Sequence, residues 1–93
     1  MISNSHRMEI RRYNLQPLED DYRQLTAKGN AAAGERIKNF LESIRYELRM
    51  GAEIIFEYRS DEENPMVMRI LKTEKDLDRW IESRFSRLSE FSQ

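Results

Sequence analysis

Wound at 100° per residue, Ala33, Ile37, Phe40, Leu41, Ile44 and Leu48 fall on one stripe of a single helix. A run this regular commits the middle of the chain to an amphipathic helix with one buried face. Its ends are marked as well. Asn30 is a good N-cap, and Gly51 stands just past Met50 where a left-handed residue closes a helix, although Gly34 in the first turn weakens the start. Everything else in the chain must supply an apolar layer that matches this stripe.

The supply is limited, because the chain has 93 residues and a mass of 11.2 kDa. Area scaling lets a chain of this mass bury about 65% of its unfolded surface, which is enough for one thin core. With 39% hydrophobic and 35% charged residues, it reads as globular with a heavily solvated exterior. We therefore expect one domain over residues 8–93, preceded by a polar, unpatterned and frayed stretch over residues 1–7.

Met8 to Tyr13 alternates weakly and is a candidate edge strand. Pro17 suits a first helical position, Glu19, Asp20 and Asp21 favour the positive end of a helix dipole, and Gly29 supplies an end, so a first helix is expected over 17–28. After the long second helix, Glu53 to Arg59 and Met66 to Lys72 read as a hairpin across the Asp61 to Pro65 loop. The hairpin register expected from charge and apolar matching sets Tyr58 opposite Met68, Glu57 opposite Arg69 and Phe56 opposite Ile70. Thr73 and Asp76 form an approximate capping box for a third helix carrying Leu77, Trp80, Ile81, Phe85, Leu88 and Phe91 on one side. The expected fold class is α+β, order (β)-α-α-β-β-α, with the helices packed on one face of a short antiparallel sheet.

Chemistry is thin. The chain has no cysteine and a single histidine, His6, so no thiolate metal site, no cysteine nucleophile and no Ser/His/Asp set on an ordered frame can be built. Gly29 and Gly34 have the spacing of a phosphate-cradling loop, but Glu35 and Arg36 follow where that loop needs Lys and Ser or Thr. The runs Glu19 to Asp21 and Asp61 to Glu63 lack the alternating ligand spacing of a calcium loop. Glu53 and Glu57 share a strand face, yet they read as strand charges paired with Arg69 or Arg59 rather than as an acid and base couple. The expectation is no enzyme, no cofactor and no metal. The chain also has no apolar stretch long enough to span a membrane, and a net charge of −1 gives no bulk attraction to anionic surfaces, so it reads as a cytoplasmic protein.

What remains is surface. Of the 16 basic residues 12 are Arg, the side chain suited to planar pairing with carboxylates or phosphates. Lys38, Arg45 and Arg49 lie in an arc roughly 80° to 120° from Ile37 and border Tyr46 and Met50, opposite the core stripe. Arg84 falls inside the apolar arc of the third helix, where it reaches past Leu88 to water, pairs with Glu57 or Glu53, or meets an anionic group on a second chain. On the hairpin, Ile54, Phe56, Tyr58, Met66, Met68 and Ile70 are expected to face the helices, while Ile55, Val67 and Leu71 make the second face apolar as well. Two strands alone are marginal, so that second face needs either the first strand and helix or a second copy of the chain. The reading that unites these features is a non-enzymatic protein-interaction or regulatory module, homodimeric or bound to a protein partner. Its contact residues would come from Lys38, Arg45, Tyr46, Arg49, Met50, Ile55, Val67, Arg69, Leu71 and Arg84. The alternative is a small nucleic-acid-binding protein using Lys38, Arg45, Tyr46 and Arg49.

Overall fold

The computed structural model describes residues 9–59 and 66–90. The expectations for residues 1–7, for the hairpin loop and for Phe91 lie outside these. Strand β1 (Ile10–Asn14) is followed by α1 (Gln16–Lys28), α2 (Ala31–Arg49), the strands β2 (Glu53–Tyr58) and β3 (Met66–Leu71), α3 (Glu74–Arg84) and a short 3-10 helix (Ser86–Glu90). The sequence explains the boundaries. Pro17 occupies the first turn of α1, Gly29 closes it at φ 64°, and its N–H donates to the Leu25 carbonyl. Asn30 accepts from the Ala33 N–H at 3.2 Å, and Gly51 turns the chain out of α2 at φ 100°.

Thr73 and Asp76 complete the capping box: the Thr73 hydroxyl accepts from the Asp76 N–H at 3.1 Å, and the Asp76 carboxylate accepts from the Thr73 N–H at 3.1 Å. The backbone donors of Lys72 and Thr73 hold the Asp76 carboxyl below the ordinary carboxylate range. Thr73→Ala removes this cap and should cost about 1 kcal/mol, read as a melting temperature lower by roughly 4–8 °C in a thermal scan.

The sheet has the order β1-β2-β3, and it corrects the expected geometry in two places. First, β1 runs parallel to β2, with Tyr13 beside Phe56, so the sheet is mixed instead of antiparallel. Parallel neighbours need a long crossover, and α1 with α2 provides it: α2, about 28 Å long, carries the chain back to the start of β1, where the Glu53 N–H donates to the Glu9 carbonyl at 2.8 Å. Second, β2 and β3 pair antiparallel in a different register, Ile54 with Leu71, Ile55 with Ile70, Phe56 with Arg69, Glu57 with Val67 and Tyr58 with Met66. Met68 is left over as a bulge. One extra residue inverts the side-chain alternation beyond it, so Leu71 turns into the core with Ile54 while Ile70 turns out.

All three helices bury their stripes on one face of the sheet. Leu18 and Leu25 of α1, Ile37, Ile44 and Leu48 of α2, and Leu77 and Trp80 of α3 join Ile54, Phe56 and Leu71 in a single core. A run of rings threads it: Tyr13, Phe40, Phe56, Trp80, Phe85 and Tyr22 follow one another at centroid separations of 4.5–6.1 Å. The third helix stops earlier than its apolar pattern suggests. Phe85 leaves helical geometry at φ −129°, ψ 48°, which drives its ring between Trp80 and Tyr22 and passes the chain into the 3-10 turn. The molecule is only 21 Å thick in its shortest direction, about one sheet and one helical layer.

Candidate functional site

The strand pairings define the sheet face turned away from the helices. Reading across β1, β2 and β3, it carries Ile10 beside Glu53, then Arg12, Ile55 and Ile70, then Asn14, Glu57 and Val67, with Arg59 beyond the end of β2. Ile10, Val67 and Ile70 are 59%, 48% and 46% exposed. Among the described residues only one face of this mixed sheet is covered.

At the middle of this open face stands a fully buried acid. Glu57 has no exposed surface, yet both carboxylate oxygens are occupied: Arg12 Nη1 donates to Oε1 at 3.0 Å and Arg59 Nε donates to Oε2 at 2.8 Å. The two guanidinium groups are half-exposed and lie over the carboxylate, shutting it from water. Their hydrogen bonds, Arg59 foremost and Arg12 next, outweigh the effect of burial and hold the Glu57 carboxyl below the ordinary range. A carboxylate ionised and tied at both oxygens is a poor proton donor and a poor nucleophile. The arrangement gives a flat apolar face one satisfied ionic centre without leaving an orphaned charge inside it.

Arg45, Arg49 and Arg84 also pair with acids of their own chain. Arg45 donates to Asp78 Oδ1 at 2.7 Å and also approaches Glu74, while Arg49 grips Glu74 with two hydrogen bonds, at 3.1 and 3.2 Å. These pairs join α2 to α3, so a phosphate at Arg45 or Arg49 competes with carboxylates already in place. Tyr46 and Met50 are exposed and border a shallow groove with Glu9 and Arg11. Lys38 stands apart from them, on the rim of a groove of about 700 Å³ floored by Leu25, Ile37, Leu41 and Ile81. Arg84 pairs with Glu19 of α1 and donates to the Tyr58 hydroxyl at 3.1 Å, so its partner is neither Glu57 nor Glu53. It closes the junction of α1, β2 and α3. The sequence marked Glu19 only as an acid of the first helical turn, because its pairing with Arg84 depends on where α1 docks.

The ten residues expected at a contact surface are therefore not brought together. Ile55 and Val67 lie on the open face. Leu71 does not, being buried in the core, and Arg69 faces Phe56 across the ladder instead of pairing with Glu57. The pairing of Glu57 with Arg59 was read from the sequence and is present, whereas Ile10, Arg12 and Ile70 were missed as members of the face. The available signal was Glu57 itself, an acid interrupting the strongly apolar Ile54, Ile55 and Phe56.

Among the described residues no three His, Cys, Asp or Glu side chains converge where they could hold a metal ion, and no helix is long and apolar enough to cross a membrane. No protein-family model matches the sequence, and no curated protein and no solved structure matches it.

Proposed function

We propose that this chain is a non-enzymatic protein-interaction module of the cytoplasm, one that self-associates through the open face of its sheet. The observation that carries the reading is the contrast within that face. Three aliphatic side chains stand roughly half in water, while the acid beside them is sealed and hydrogen-bonded at both of its oxygens. An ordinary solvated sheet face alternates apolar-in and polar-out and has no need to bury a carboxylate. A surface that is to lose its water has that need, because any charge left unpaired there opposes association. The arginines of α2, by contrast, already have acidic partners within the chain.

Sedimentation equilibrium over a range from about 5 μM to about 1 mM tests the reading. The weight-average mass should climb from 11.2 kDa towards twice that value as concentration rises. A mass fixed at 11.2 kDa up to the highest concentration removes self-association.

A further inference from the structure

Resting on that self-association, we infer that two copies pack their open sheet faces about a two-fold axis lying across the strands at the level of Phe56, and that Glu53 of each copy pairs with Arg59 of the other. The inference comes from the ladder. On β2, Glu53 precedes Phe56 by three residues and Arg59 follows it by three; Glu53 alternates with Ile55 and Glu57, and Arg59 is held to the same side by its bond to Glu57. A two-fold at Phe56 therefore exchanges an acid with a base, twice. On β3, Ile70 and Val67 bracket the bulge at Met68 and Arg69, so the same rotation lays Ile70 of one copy on Val67 of the other. On β1 it lays Arg12 over Asn14. The alternative axis, parallel to the strands, stacks Glu53 on Glu53 and Arg59 on Arg59, which places like charges together.

The distances suit the pairing. Packed sheets lie about 10 Å apart and cross at about 30°; three residues from the axis, about 10 Å along the strand, that crossing displaces the partners sideways by about 5 Å. A glutamate and an arginine reach across such a gap together. Among the described residues Glu53 has no ion pair within its own chain, and Arg59 donates to them only through Nε, to Glu57, which leaves its Nη atoms for a partner. The face is three short strands wide, and its flat footprint of about 14 by 18 Å places the dimer in the small, weakly held class of interfaces.

The experiment is a charge exchange on the full chain, read by sedimentation at increasing concentration. Glu53→Arg alone should weaken association at least about tenfold, because it sets arginine against Arg59 at both ends of the interface. Arg59→Glu should do the same. Mixing the two variants restores opposite charges at both contacts, and the mixture should associate about as well as the native chain. Unchanged association of Glu53→Arg, in a chain that still self-associates, overturns this two-fold while leaving self-association standing. A native chain that stays monomeric overturns both. If Arg59→Glu fails to fold beside Glu57, as circular dichroism would show, the Glu53→Arg result decides alone.

Discussion

Phe56→Ala should remove a large share of the chain's folding stability. Phe56 is fully buried at the centre of the ring series, 4.5 Å from Trp80 and 6.1 Å from Phe40 between centroids, so its loss removes the contact that joins the sheet to both α2 and α3. Truncating a buried phenylalanine costs about 3–5 kcal/mol, transfer and cavity together. A domain of this length has roughly 5–14 kcal/mol in all. The melting temperature read by far-ultraviolet circular dichroism should fall by about 15–30 °C. Exposed Glu82 changed to alanine should move it by less than about 4 °C, and Phe56→Leu should fall between the two.

The second large effect concerns the ionic centre of the open face, and its sign is the informative part. Glu57 is buried whereas Arg12 and Arg59 are half-exposed, so the three positions are not equivalent. Glu57→Gln returns two guanidinium groups to water and should be mild. Arg12→Met with Arg59→Met strands a buried carboxylate and should lower the melting temperature at pH 7 by more than about 10 °C. Adding Glu57→Met to that pair should recover most of the loss, since an apolar trio of similar volume leaves no buried charge.

The pH dependence separates the variants again. In the native chain the Glu57 carboxyl titrates below its unfolded value, so its stabilisation is present above the ordinary carboxylate range and is lost as pH falls through the folded value. Without the arginines, burial raises the carboxyl above its unfolded value, and stability from this group is instead lost as pH rises. Between about pH 4.5 and pH 7 this group should therefore leave the native melting temperature level while that of the double variant falls as pH rises, and below about pH 4 only the native value should fall with pH. Scans at about 5 μM keep association out of the comparison. Parallel slopes would mean that Glu57 is not held by these two side chains.

Local elements were legible because their signals are local. The α2 stripe, the Asn30 cap, the Thr73 and Asp76 capping box and the proline in the first turn of α1 can each be read from a few adjacent residues, and each is present. The order β-α-α-β-β-α and the single helical layer follow from them. The open face was half legible. Alternation in β2 placed Ile55 and Glu57 together, but which residues of β1 and β3 stand beside them depends on strand direction and register, which are set at a distance.

The direction of β1 was decided by the length of the α2 crossover, and the parity of β3 was decided by a bulge at Met68 that no proline or glycine announces. One misplaced residue was enough to exchange Leu71 and Ile70 between core and surface. Arg12 escaped notice for the same reason: nothing in its neighbourhood reveals that its partner lies 45 residues away. Arg84 shows the converse. Its odd place in an apolar arc was visible, while its partner, Glu19, belongs to an element whose docking no local pattern reports.

The claim at the centre is that the sheet face away from the helices is the surface that binds another copy, and amide chemical shifts on dilution address it residue by residue. Between about 1 mM and about 20 μM the amides of Ile10, Arg12, Ile55, Glu57, Val67 and Ile70 should shift together along one binding curve, with α1, α2 and α3 still. Shifts confined to the exposed edge of α2 at Tyr46 and Met50, or none at all, would contradict it.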